Sequence, residues 1–239
     1  MKAARCVVTG ATSGIGLATA VALAKLGGEL HLVGRDPDRL SAAARLVEAA
    51  GGHPLPWCVD LESDDEIETF ARGVGKCHAE IDVLVHSAGL FHRCFVEDLS
   101  TDVLDRLYRV NLRAPVVLTR ELLPRLGRDS HIVFLNSTAS ASSTPSVSAY
   151  SAVKAGLAAF TSALRKEVAG RGVRVTSVYP GRTATPMQQY VCELEGAEYV
   201  PERFMEASDV GEAIFHCVTA PLSCEVTDYY LRQRTKEAR

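Results

Sequence analysis

Three side chains in one stretch of this chain have the types and spacing for proton transfer at an oxygen. Tyr150 and Lys154, in the run YSAVK, stand four residues apart, and Ser137 lies thirteen residues before the tyrosine. A spacing of four puts two side chains on one face of a helix, one turn apart. An ammonium beside a phenol favours the phenolate and is expected to draw the tyrosine below its ordinary pKa of about 10. A phenol so tuned can donate or accept a proton near neutral pH. A nearby serine hydroxyl can hydrogen-bond an oxygen that gains charge in the transition state.

Such a set needs a reactant held beside it, and the start of the chain offers a cradle. The run TGATSGIG, Thr9 to Gly16, follows an apolar stretch and leads into the helical period Leu17–Leu26. Glycines there allow a tight turn and a close approach of backbone N–H groups to a pyrophosphate at a helix N-terminus. The spacing is GxxxGxG, and the candidate contacts are Gly10, Thr12, Ser13, Gly14, Ile15 and Gly16. The second apolar run ends in Val33-Gly34-Arg35-Asp36. An acid at that point would suit the ribose 2′-hydroxyl of NAD(H), whereas an arginine suits the 2′-phosphate of NADP(H). Asp36 precedes Pro37 and reads as a helix cap, so Arg35 favours NADP(H). Asp60 and Leu61 end the third run, where Asp60 could reach the adenine amino group or simply serve strand-end turn chemistry, an alternative that holds for the fourth run as well. Ser87, Ala88 and Gly89 end the fourth, where small residues admit the adenine ribose.

The elements that would position these residues alternate between short β-branched runs and longer helical periods, the pattern of a parallel sheet. Strands are expected at Arg5–Thr9, Leu30–Val33, Pro54–Val59, Val83–His86, His131–Asn136, Val173–Val178 and Cys224–Leu231. Helices are expected near 37–50, 64–77, 101–126, 148–169 and 208–219. Ser63 to Glu66 has the form of a capping box. Pro115 should bend the 101–126 helix or strip one of its hydrogen bonds. The expected fold is α/β: a single Rossmann-type domain over 1–239, doubly wound, with about seven parallel strands and helices on both faces. The proline- and glycine-containing segment 180–207 reads as a substrate-binding loop or lid, and 232–239 as a flexible tail.

Composition narrows the classes. The formal net charge of −3 gives no electrostatic footprint for nucleic acid. No apolar run is long enough to span a bilayer. The seven cysteines form no CxxC pair, and with no signal peptide ahead of the first strand they favour reduced thiols in the cytoplasm. The seven histidines show no metal-ligand spacing, so no metal is expected.

Taken together, the motifs from Ala4 to about Met187 resemble the short-chain dehydrogenase/reductase family. Thr9, Gly10, Gly14 and Gly16 match its TGxxxGxG; Ala88 and Gly89 match its NAG, with Ser87 in place of the asparagine. Asn111, Ser137, Tyr150 and Lys154 match its active-site set, and Pro180 and Gly181 its PG turn, followed by Thr185. The resemblance implies reversible hydride transfer between NADP(H) and a ketone or aldehyde. Tyr150 would be the acid or base, Ser137 the partner of the substrate oxygen, and Lys154 the holder of the nicotinamide ribose. Asn111 would hold a water linking Lys154 to solvent. Tyr150, Lys154, Pro180, Gly181, Thr183 and Thr185 would also touch the cofactor. Ser87 is expected to affect stability, not chemistry. Candidate substrate walls are Leu90, Phe91, His92, Ala139, Val147 and Met187, whose apolar character suits a hydrophobic or mixed carbonyl compound over a highly charged sugar phosphate. Assembly as a homodimer or homotetramer is expected, the dimer through helices 101–126 and 148–169. The alternatives are an NADP(H)-binding redox sensor without turnover and an NAD-dependent alcohol dehydrogenase of the same family. A nucleotide-sugar epimerase or dehydratase would need a longer chain.

Overall fold

The computed structural model describes residues 3–234. It runs β1 (Arg5–Thr9), α1 (Gly14–Ala24), β2 (Glu29–Gly34), α2 (Pro37–Ala49), β3 (His53–Cys58), α3 (Asp64–Cys77) and β4 (Ile81–His86). Then come α4 (Thr101–Tyr108), α5 (Ala114–Leu122), β5 (Leu126–Leu135), α6 (Ser148–Val168), β6 (Arg174–Pro180), β7 (Thr183–Ala184), α7 (Pro186–Glu195), β8 (Met205–Glu206), α8 (Ala207–Thr219) and β9 (Asp228–Leu231). Seven strands form one parallel sheet in the order β3-β2-β1-β4-β5-β6-β9. The order reverses between β1 and β4, and a cleft opens at the carboxyl ends of the strands at such a point.

Both faces of the sheet are covered, as the near-continuous apolar strands require. On one face α3, α5 and α6 pack Phe70, Leu118 and Leu157 around Phe134. On the other, α1, α2 and α8 pack Leu23, Leu40 and Ile214 around Leu30 and Leu32. Helices α1 and α8 meet closely, because Gly211 has no side chain: a Cβ there would lie 2.7 Å from the Ala18 main chain.

The 101–126 helix runs as expected through α4 and α5 with helical backbone throughout; it widens into one π-type turn at Arg109–Arg113, just ahead of Pro115, and ends in a 3₁₀ turn at Leu123–Arg125. A proline strips an N–H from the helix ladder, and the widened turn is where that ladder shifts. Three expectations are corrected. Strand β5 starts at Leu126, five residues earlier than the β-branched pattern suggested. The capping box at Ser63 is half formed: Ser63 Oγ accepts from Glu66 N, but the Glu66 carboxylate reaches back to Asp60 N at 2.7 Å. Finally, 180–207 is not a plain loop. Thr185 Oγ1 caps α7 through Gln188 N, Pro186 opens the helix, and Gly196 closes it in the left-handed region at φ 63°. Strands β7 and β8 pair and pin the two ends of the segment together. Of the expected tail, residues 235–239 lie outside those described.

Candidate active site

One cavity of about 540 Å³ sits at the carboxyl ends of the strands. Its wall includes Gly10, Thr12, Ser13, Gly14, Ile15, Gly16, Arg35, Asp60, Leu61, Ser87, Ala88 and Gly89 from the first half of the chain. From the second half it takes Asn111, Ser137, Tyr150, Lys154, Pro180, Gly181, Thr183 and Thr185. All the residues singled out above as catalytic or cofactor-binding thus border the same space. Of the candidate substrate walls, Leu90, Phe91, Ala139, Val147 and Met187 join it, and His92 does not.

The nucleotide end is shaped by main chain. Gly10 and Gly14 lie in the left-handed region at φ 66° and 53°, where a side chain is strained. A Cβ on Gly16 would lie 2.2 Å from Gly10 O. Gly34 is small because Thr12 packs against it: a Cβ there would meet Thr12 Cγ2 at 2.4 Å. Thr9 Oγ1 accepts from Ser87 N and Ala88 N at 3.1 and 3.2 Å, so a threonine on β1 anchors the β4 turn. The N-terminus of α1 has no side-chain cap and no acid in its first turn. Helices α2, α3, α4, α7 and α8 are capped by side chains, while α6, which carries Tyr150, starts uncapped like α1. Bare N–H groups and the positive helix end aimed at a cavity fit a pyrophosphate.

Beyond β2, Asp36 is the α2 cap, accepting from Asp38 N and Arg39 N at 3.0 Å. Arg35 is free to swing, about half exposed and only loosely paired with Glu62 at 3.5 Å. Arg39, one turn into α2, joins the same wall. Asp60 Oδ1 accepts from Glu62 N at 3.0 Å, and the residue borders the cavity.

The chemical end is built on the start of α6 and the end of β5. Tyr150 is buried, with its ring edge-on to Phe91 at 5.0 Å between centroids. Lys154 is buried one turn on, and its Nζ donates to Leu135 O at 2.8 Å. Burial draws the lysine down to about 8. The expectation that Lys154 lowers the Tyr150 pKa is corrected here. Burial pushes the phenol above its ordinary value, and a hydrogen bond with Ser137 opposes that rise. The ammonium lies 6.0 Å from the ring centroid and is turned to a carbonyl. Ser137 follows β5, its Oγ accepting from Ala139 N at 3.1 Å.

Asn111 lies inside the wide turn between α4 and α5. Its Nδ2 donates to Leu90 O at 2.9 Å and to Leu107 O at 3.1 Å, while Oδ1 accepts from Leu90 N at 3.1 Å. Both amide hydrogens are therefore spent on main chain, and any water it holds must bind through its side-chain or main-chain oxygen. Gly89 makes room beside it, since a Cβ there would lie 2.9 Å from Asn111 Oδ1 and 3.9 Å from Lys154 Nζ.

The sequence reading placed Thr9 in the glycine motif without its role as an anchor of the β4 turn, and it missed Arg39 and a charged group on the outer wall: Arg93, Arg182 and Glu195. The signal for Arg182 was its place directly after the Pro180-Gly181 turn, whose Gly181 N is fixed to Leu231 O at 2.8 Å. Glu195 had no local signal, because the helix that carries it was not expected.

Comparison with known proteins agrees with this geometry. The family model for short chain dehydrogenases matches residues 4–195. An uncharacterized oxidoreductase of Staphylococcus epidermidis is 31% identical over 228 residues, covering 95% of each chain. An alcohol dehydrogenase of the archaeon Thermococcus sibiricus, solved with 5-hydroxy-NADP, is similar with a TM-score of 0.88 at 26% identity, over 98% of this chain and 100% of that one. A short chain dehydrogenase of Burkholderia cenocepacia in complex with NADP gives a TM-score of 0.86 at 26% identity, over 95% and 96% of the two chains. A family model that matches four fifths of the chain and a relative 31% identical along nearly its whole length agree with the fold and the cavity described above, and the chain belongs to the short-chain dehydrogenase/reductase family of oxidoreductases.

Proposed function

We propose that the protein is an NADP(H)-dependent reductase of ketones or aldehydes, running reversibly, with Tyr150 as acid and base. The observation that carries this reading is the convergence of Ser137, Tyr150 and Lys154 on the cavity that also holds the bare end of α1 and Arg35. The bound dinucleotide would supply the hydride. The α1 N–H groups would hold its pyrophosphate, Arg35 and Arg39 its 2′-phosphate, and Lys154 its nicotinamide ribose. Lys154 has three donors and spends one on Leu135 O, so two remain for hydroxyls.

The phenol of Tyr150, held above its ordinary pKa, is protonated at neutral pH and donates to the substrate oxygen during reduction. Ser137 donates to the same oxygen as charge develops on it. Phe91 and Val147 keep water from the reacting side, and α7 forms the outer cover. Leu104 and Tyr108 stand exposed on α4, the helix that the family resemblance assigns to a dimer face; a second copy would cover them.

The test follows loss of the reduced-nicotinamide absorbance with NADPH and with NADH across a panel of ketones and aldehydes. Tyr150→Phe should cut kcat by about 10²- to 10⁴-fold while NADPH still binds. Full activity in that variant would remove Tyr150 from the mechanism. NADPH binding with no turnover of any compound would favour a redox sensor.

A further inference from the structure

The outer wall of the cavity holds charge that proton transfer at Tyr150 does not use. Arg93 Nη1 donates to Glu195 Oε1 at 2.9 Å, and Arg182 Nη2 donates to Glu195 Oε2 at 2.6 Å. All three residues border the space that Tyr150 and Ser137 border. One arginine would satisfy Glu195. The second leaves a net positive charge on that wall, and bringing two like charges together costs free energy.

The group is held in place from both sides. Arg93 Nε donates to Ser146 Oγ at 2.8 Å, and Ser146 O accepts from Cys94 N at 2.8 Å. Ser146 sits in the left-handed region at φ 68°, a conformation that costs a serine about 1 kcal/mol or more and persists where its surroundings enforce it. On the far side, the Arg182 guanidinium lies over the Phe204 ring at 5.2 Å. Among the described residues, Arg93 places two of its five N–H donors on protein, and Arg182 uses only one nitrogen. Both keep donors for a ligand.

The wall and the reacting centre border one cavity and are linked through short stretches of chain. Ser146, which orients Arg93, precedes Tyr150 by four residues. Phe91, two residues before Arg93, packs edge-on against Tyr150 at 5.0 Å. Apolar Leu90, Val147 and Val191 line the same cavity.

We infer that Arg93 and Arg182 select an aldehyde or ketone bearing a carboxylate at the end remote from its carbonyl, with Glu195 holding the two guanidinium groups together. This rests on the carbonyl-reductase reading above and names its substrate class. A carboxylate presents two oxygens to paired N–H donors. A neutral ester of the same shape leaves those donors unpaired and is rejected for that reason.

Two aldehydes of one size test it: 4-carboxybenzaldehyde and methyl 4-formylbenzoate, each measured for NADPH-dependent reduction and, by calorimetry, for binding to the protein. The acid should exceed the ester in kcat/KM by roughly 10²-fold. Arg93→Gln or Arg182→Gln should lower that ratio by about 10- to 100-fold, the range for losing one charged hydrogen bond, with NADPH affinity kept. Reduction of both aldehydes with equal efficiency overturns the inference and leaves the reductase reading standing. Binding of the acid but not the ester, with neither reduced, supports the inference and removes the reading. Binding of neither overturns the inference, as does loss of NADPH affinity in the arginine variants at an unchanged acid-to-ester ratio. Where those variants melt early, salt dependence of the parent decides: raising the ionic strength should shrink the acid-to-ester ratio by screening the wall, and an unchanged ratio overturns the inference.

Discussion

The two ends of the cavity are made of different material. At the nucleotide end the wall is mostly main chain: two left-handed glycines, the uncapped first turn of α1 and the short ends of neighbouring parallel strands. Main-chain hydrogen bonds set its dimensions, as in the bond from Ala11 N, in the glycine loop, to Val33 O at 3.1 Å. At the chemical end the wall is side chain. Arg93, Arg182 and Glu195 come from segments up to 102 residues apart and meet through their charged groups. A main-chain site excludes Cβ atoms and is otherwise tolerant of side-chain change. A side-chain site can be retuned one residue at a time, which suits the half that must recognise the variable reactant.

The sharpest way to break this contrast is to place a side chain in the main-chain end. Gly16→Val puts a Cβ 2.2 Å from Gly10 O and gives the backbone nowhere to go. Overpacking of this kind costs about 1–3 kcal/mol or more. We expect a lower melting temperature and loss of NADPH binding in a fluorescence titration. A variant that melts and binds like the parent would show that the loop is not set by close backbone contact.

Lys154 stands where the two ends meet, and Lys154→Met separates its costs from its uses. Burial lowers its pKa from 10.5 to about 8. The unfolded chain therefore holds a proton that the folded chain has released between pH 8 and 10.5, and stability from this group rises with pH across that window. Below pH 8 the buried ammonium costs up to about 3 kcal/mol at 1.4 kcal/mol per unit. Removing it also frees the Leu135 carbonyl, which returns about 1–2 kcal/mol of that cost. The cofactor-free variant should thus be about 1–2 kcal/mol more stable than the parent at pH 7 by denaturant titration, and the gain should vanish by pH 10. NADPH should bind it about 10-fold more weakly at pH 7. A variant less stable at pH 7 would mean that Lys154 is a structural lysine.

The same contrast governs what the sequence discloses. The strands, their parallel order and the glycine loop were legible because main-chain sites are written in local spacing. Tyr150 and Lys154 were legible because helical periodicity puts them on one face, yet their electrostatics were not: burial, set by the whole fold, reversed the expected direction at the phenol. The segment 180–207 misled for a definite reason. Pro186 and Gly196 looked like helix breakers, and they are the first-turn proline and the left-handed cap of α7. Once that helix is missed, Glu195 has no place, and the pairing with Arg93 and Arg182 has no sequence signature at all. The disturbance in the 101–126 helix was signalled by Pro115, and it falls at the wide turn from which the Asn111 amide reaches the Leu90 peptide.

The smallest expected effect concerns an exposed side chain at the mostly main-chain end. Arg35 is about half exposed, and its contact with Glu62 at 3.5 Å competes with a second arginine, Arg106, on the same carboxylate at 3.3 Å. Pairs of that kind in water contribute little, so Arg35 can leave Glu62 at low cost to meet a phosphate. Arg39 is similarly placed, 3.4 Å from Asp36, whose other oxygen is occupied as the α2 cap. Arg35→Ala should therefore weaken NADPH by about 10-fold, the value of one charged hydrogen bond at a partly exposed site, and leave NADH nearly unchanged. Because the site is open, raising the salt should shrink the parent's preference for NADPH. Arg39→Ala should lower it further when combined with Arg35→Ala. Titration of both dinucleotides into the parent and the variants reads all of this directly. Equal losses for NADPH and NADH would take the 2′-phosphate away from Arg35 and leave the nucleotide end wholly a main-chain construction.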